Sequence, residues 1–168
     1  MKKKLICSII FASTCIAQTA MAQPEAGDRE FSLAGSGGSD NSFRTNVLGV
    51  SGTYGWFQTK EFEWGIRQAI GIADVDGGSL GLSGSTALFA DYHFDFAEWQ
   101  PFVGASLGAA YGTSSTIEEN FVIGPEIGVK YYIQPKTFIQ TQATYLFRVG
   151  EDIDEGALRY TIGLGINF

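Results

Sequence analysis

The feature that most constrains this chain is an alternation of period two, apolar against small or polar, that runs to the last residue. In the final segment Leu158, Tyr160, Ile162, Leu164, Ile166 and Phe168 alternate with Ala157, Arg159, Thr161, Gly163, Gly165 and Asn167. Successive side chains of a β-strand point to opposite faces, so such a segment makes a strand with one greasy face and one small or polar face. The pattern recurs about eight times, and the spacing predicts strands near 29–36, 44–57, 62–73, 79–95, 100–112, 121–134, 137–149 and 157–168. All but the marginal first are long enough for the roughly 9–11 residues of a tilted membrane-crossing strand. No sustained helical period competes with this reading.

The first residues have a different character. Lys2, Lys3 and Lys4 precede an apolar run from Leu5 to Ala17, and Ala20-Met21-Ala22 has the small-x-small pattern of a signal-peptidase site. The run is shorter than the roughly 20 residues of a membrane-spanning helix. The expectation is a cleaved signal peptide over 1–22 and a single domain over 23–168. Cys7 and Cys15 both fall in the leader, so disulfide and thiolate chemistry is excluded for the mature chain. Without the three lysines, 18 acids face 8 bases, a net charge of −10. That balance argues against nucleic acid, whose phosphates require a basic surface.

The connections alternate in length. Gly- or acid-rich loops are expected at 37–41, 74–78, 113–120 and 150–156, and tight turns near Thr59-Lys60, Ala97-Glu98 and Pro135-Lys136. With the N-terminus in the periplasm, every tight turn falls there and every longer loop faces outside. Trp56, Phe57, Phe62, Trp64, Phe94, Phe96, Trp99, Tyr131, Phe138 and Phe168 lie near the tight turns, where an interfacial aromatic girdle belongs. Alternation alone does not say which face is inside. A soluble lipocalin-like barrel would bury the greasy face, whereas a membrane barrel exposes it; the leader and the girdle favour the membrane barrel. The expected fold is therefore all-β, an eight-stranded antiparallel up-and-down transmembrane β-barrel.

The ending Tyr160-x-Ile162-Gly163-Leu164-Gly165-Ile166-Asn167-Phe168 resembles the β-signal read by outer-membrane assembly machinery, through Tyr160, Ile162, Leu164, Ile166 and Phe168. The stretch from Pro101-Phe102-Val103-Gly104-Ala105 to Gly124-Pro125-Glu126-x-Gly128-Val129-Lys130-Tyr131-Tyr132 is similar to the porin-like outer-membrane β-barrel family, related to the OmpA transmembrane domain and OmpX. The resemblance spans the mature chain. It implies a multi-pass protein of a Gram-negative outer membrane, in contact with lipopolysaccharide and other outer-membrane lipids and handled by the assembly machinery during biogenesis. The family is defined by architecture, so the resemblance carries little about activity.

Three sets of residues could carry chemistry. By phase, Glu63, Asp91, Asp95 and Glu126 point inward together with Arg67, Lys130, Arg148 and Arg159. An eight-stranded barrel is just wide enough for side chains to fill, and charges held there must pair or stay hydrated. They form either a salt-bridged plug or a narrow gated ion path. His93, expected between inward Asp91 and Asp95, is the only histidine, and the chain does not resemble the His-x-Ser motif of outer-membrane lipid A deacylases, since the residue two after His93 is Asp95. The outer loops carry Asp40, Asp74, Asp76, Glu118, Glu119, Glu151, Asp152, Asp154 and Glu155 and no base. The run Glu151-Asp152-x-Asp154-Glu155 could hold divalent cations weakly, sharing them with lipid phosphates. No catalytic residue, resident metal or cofactor is expected. The functional expectation is a structural or surface-interaction protein, with a narrow ion or small-solute channel as the alternative.

Overall fold

The computed structural model describes residues 24–40, 46–75, 79–112, 120–148 and 156–168. The leader residues, their cleavage point and the acids Asp76, Glu118, Glu119, Glu151, Asp152, Asp154 and Glu155 lie outside the described residues. The chain forms eight strands: β1 Arg29–Asp40, β2 Asn46–Phe57, β3 Phe62–Val75, β4 Ser79–His93, β5 Trp99–Gly112, β6 Asn120–Gln134, β7 Thr137–Arg148 and β8 Ala157–Asn167. Each pairs antiparallel with its sequence neighbour. β1 also pairs with β8 from Glu30↔Asn167 to Asp40↔Ala157, closing the barrel and leaving no sheet edge.

β1 runs further than its alternation suggests, taking in Gly37 and Gly38, which the sequence assigns to a loop. Glycine at Gly37 leaves room for the Tyr160 ring of β8, which a Cβ there would meet at 2.6 Å. The glycines let a large outward side chain lie across the neighbouring strand. Asp40 is the last residue of β1 and Asp74 the penultimate residue of β3, so both belong to strand ends and not to loops.

The tight turns are built by local polar contacts. At β2–β3, the Glu61 and Phe62 amides donate to Thr59 Oγ1. At β4–β5, Phe96 and Trp99 exchange backbone hydrogen bonds around Ala97 and Glu98. Ala97, at the first central position, has φ 59°, alone in the left-handed region among the described non-glycine residues. Pro135-Lys136 turns β6 into β7, with a register shift between Tyr132 and Gln134.

The two faces are the reverse of a soluble barrel. Leu33, Ile70, Ile127 and Ile162 are 56%, 59%, 61% and 65% exposed, and large apolar residues from every strand share that outer wall. Facing inward are Glu30, Ser32, Ser51, Thr53, Glu63, Ser85, Asp91, His93, Gln100, Glu126, Lys130, Gln140 and Thr144, all buried. A continuous apolar wall of this kind is far larger than soluble monomers expose. A closed sheet leaves no unpaired backbone, so the wall suits hydrocarbon and the barrel reads as membrane-spanning. The soluble lipocalin-like alternative falls on this point.

Most of the aromatic girdle stands on the outer wall at the tight-turn end. Trp56 stacks on Trp64 with centroids 4.9 Å apart, Trp99 meets Tyr131 at 4.7 Å, and Phe168 packs against Tyr54 at 6.3 Å. Phe57 and Phe138 depart from the expectation. They are 1% and 0% exposed and fill the lumen, because each sits one residue out of phase with the outward set of its strand.

Candidate functional site: the charged lumen

The interior is built in layers. At the tight-turn end, Lys130 of β6 reaches across the lumen and donates from Nζ to Glu30 Oε2 at 2.6 Å and to Glu63 Oε2 at 2.7 Å. The ammonium stands 5.1, 5.4 and 5.7 Å from the ring centroids of Phe138, Phe57 and Phe102, whose electron-rich faces add to its stabilisation. His93 Nε2 lies 2.9 Å from the same Glu63 Oε2, and its ring sits between Phe57 and Phe102, with centroids 5.4 and 5.3 Å away. Tyr132 packs on Phe138 at 5.3 Å and accepts a hydrogen bond from Asn167 Nδ2 at 2.8 Å. Side chains this buried leave little free cross-section at this level.

The middle layer is a fork. Arg67 of β3 donates from Nη1 and Nη2 to the two oxygens of Glu126 on β6, at 3.0 and 3.3 Å. Bidentate geometry of this kind fixes orientation as well as charge. Arg67 Nε also reaches Thr53 at 3.4 Å, and the guanidinium lies 4.7 Å from the centre of the Phe89 ring. Thr144 Oγ1 adds a 3.5 Å contact to Glu126 Oε2. Above it, Arg159 Nη1 donates to Ser85 Oγ at 3.3 Å. A cavity of about 10 Å³ lies between Arg67, Ser85, Thr144 and Arg159, room for about one water molecule.

Of the eight charges expected in the lumen, the structure brings together Glu63 and Lys130 in the lower layer and Arg67 and Glu126 in the middle one. Arg159 is above them, and Asp91 is buried beside the lower layer. Arg148 holds the inward phase at the last residue of β7 but is exposed, at the mouth. Asp95 is a correction. β4 ends at His93, the alternation stops there, and Asp95 is exposed in the turn, its Oδ1 accepting from the Ala97 amide at 3.2 Å. His93 accordingly pairs with Glu63, from the neighbouring strand, and not with Asp95.

Glu30 was missed by the sequence reading. Phe31 and Leu33 set the outward phase of β1, which assigns Glu30 to the inner face, so the signal was present. Phe57, Phe102, Phe138 and Tyr132 complete the lower layer, although aromatic residues on an inner face read locally as girdle. Tyr160, Ile162, Leu164, Ile166 and Phe168 all stand on the outer wall of β8.

The fold resembles small outer-membrane barrels of known structure. The N-terminal β-barrel domain of OprF from Pseudomonas aeruginosa superposes with a TM-score of 0.61 at 20% identity, covering 86% of this chain and 100% of that domain. OprG from the same organism gives 0.67 at 10% identity, over 88% and 99% of the two chains. The outer-membrane enzyme PagL gives 0.53 at 20% identity, over 80% and 98%. At these identities the likeness is one of fold. No protein-family profile and no curated protein sequence matches the chain.

Proposed function

We propose that this chain is an integral protein of the bacterial outer membrane, a closed barrel with a structural or surface-interaction role and not an open channel. The observation that carries the reading is the lower layer of the lumen. Lys130 is clamped by Glu30 and Glu63 and ringed by Phe57, Phe102 and Phe138, and all six side chains are buried. Burying two carboxylates and an ammonium is costly unless they pair closely. Here they do pair, and the aromatic rings fill the remaining space. An ion would have to displace this layer to cross.

The burial of His93 supports a non-enzymatic role. It is sealed between two phenylalanines, away from the outer wall where lipid substrates lie. The surface role then falls to the loops, where the acids Glu151, Asp152, Asp154 and Glu155 would meet lipopolysaccharide through shared divalent cations. The outward alternation of β8, closing on Phe168, would serve recognition by the assembly machinery.

The test is ion conductance of the refolded mature chain in a planar bilayer, after a heat-dependent gel shift has established a folded barrel. A silent bilayer is expected. Reproducible unitary steps that change in Glu126→Ala or Arg67→Ala would overturn the closed-barrel reading in favour of a narrow channel gated by the lumen charges. For the loops, neutralising the four acids together should reduce calcium-dependent retention on lipopolysaccharide, and unchanged retention would remove the surface role.

A further inference from the structure

The lower lumen holds a second arrangement that shares Glu63 with the Lys130 clamp. Glu63 of β3 and Asp91 of β4 are direct cross-strand partners, and His93 follows Asp91 on the same inner face. All three are buried, and each offers one ligand-type atom within 4.8 Å of the others. Like charges directly opposed on one face of a sheet repel. Lys130 and His93 both contact Glu63 Oε2, which leaves Glu63 Oε1 without a hydrogen-bond partner. Asp91 Oδ1 and His93 Nδ1 are likewise buried and unpartnered.

The charges around this trio do not balance. Glu30 and Glu63 share one ammonium, and Arg67 commits both terminal nitrogens to Glu126. Among the described residues, no lysine or arginine nitrogen lies within ion-pair distance of Asp91; it shares a side-chain hydrogen bond with Glu126, and Glu126, Arg67 and Glu63 are the charges that act on it. Four carboxylates, Glu30, Glu63, Asp91 and Glu126, thus share this part of the lumen with two cations, Lys130 and Arg67. Buried polar atoms are nearly always satisfied; six side-chain atoms among the described residues are not, and three of these belong to the three residues able to ligate one ion, the others being on Gln100, Thr161 and Asn167.

We propose that Glu63, Asp91 and His93 form a binding site for a divalent transition-metal ion, with zinc as the best-fitting case. One imidazole with two carboxylates is a donor set that zinc accepts, at about 2.0–2.2 Å from each ligand atom. The imidazole disfavours calcium and magnesium, which take oxygen ligands alone. A doubly charged ion would relieve the Glu63–Asp91 repulsion and tie β3 to β4 at the tight-turn end. Glycine at Gly55 and Gly104 leaves the carboxylates their positions, since a Cβ at either would stand 1.9 Å from Glu63 Oε1 or Asp91 Oδ1. The competing occupant is a proton shared between carboxyl groups.

The experiment refolds the mature chain with zinc, removes surface-held ions with a chelator, desalts, and measures bound metal by mass spectrometry. About one zinc per folded barrel is expected, because ligands enclosed by the fold hold metal as part of its stability. The doubly substituted Asp91→Asn, His93→Gln chain should lose it at least tenfold while keeping the heat-dependent gel shift. No zinc retained by the parent leaves a shared proton and overturns the proposal, as does equal retention by the variant, which would place the ion elsewhere. Should the variant fail to fold, cobalt is refolded into the parent. Visible absorption bands of cobalt held by nitrogen and oxygen in an enclosed site are expected, and the spectrum of the hydrated ion would refute the site.

Discussion

Replacing Lys130 with Met tests the lumen clamp directly. Methionine matches the length of the lysine stem, so the aromatic ring of Phe57, Phe102 and Phe138 keeps a side chain to pack on. The ammonium is lost, together with its hydrogen bonds of 2.6 and 2.7 Å to Glu30 and Glu63. Each charge-assisted bond contributes about 1.5–3 kcal/mol. Removing one partner of a buried ion pair costs about 3–5 kcal/mol, because the other charge stays buried and unpaired. We expect Lys130→Met to destabilise the barrel by about 3–5 kcal/mol on these grounds. Neutralising the acids as well, in Lys130→Met, Glu30→Gln, Glu63→Gln, should recover much of that loss, since a buried cluster exchanged whole for neutral groups is often tolerated. The assay is reversible urea unfolding in lipid vesicles, followed by tryptophan fluorescence. A single variant within about 1 kcal/mol of the parent would refute the reasoning, because that is no more than a solvent-exposed pair is worth. So would a triple variant worse than the single one.

Other expectations follow from particular residues. Ala97→Gly should stabilise the fold by about 1 kcal/mol, since the left-handed conformation costs a Cβ-bearing residue about 1–2 kcal/mol and glycine gives back part of this in chain entropy; a lower urea midpoint would count against it. Gly104→Ala should destabilise by about 1–3 kcal/mol as overpacking, because its Cβ would meet Asp91 Oδ1 at 1.9 Å and the Ala90 carbonyl oxygen at 2.3 Å; urea unfolding reads this too. Trp56, Trp64 and Trp99 all stand near the tight-turn end, so lipids brominated close to the headgroup should quench their fluorescence more than lipids brominated at the acyl ends. The opposite order would mean that these residues do not mark a membrane interface. Phe138→Ala should cost about 3–5 kcal/mol as a cavity at the base of the lumen, checked by unfolding; an unaffected midpoint would show that Phe138 does not fill the layer.

Much of this architecture was legible in the chain. Strand number, strand phase and the alternation of tight turns with longer connections are local properties, set by a side-chain period of two and by turn residues, and a sequence carries them directly. Phase alone assigned Glu63, Arg67, Asp91, Glu126 and Lys130 to one face. It misled where a strand stopped, as at Asp95, and where an aromatic residue held the inner parity, as at Phe57 and Phe138. Parity does not set which face is inside; in the closed barrel the polar set is buried and the apolar set exposed.

What only the tertiary structure decided is which charges meet. Lys130 lies 100 residues from Glu30 and 67 from Glu63, and Arg67 lies 59 from Glu126. Neighbouring strands are fixed by order along the chain, but residues that face each other across the lumen are fixed by strand number, tilt and stagger of the closed barrel. Those quantities belong to all eight strands at once, so no single segment of sequence encodes them.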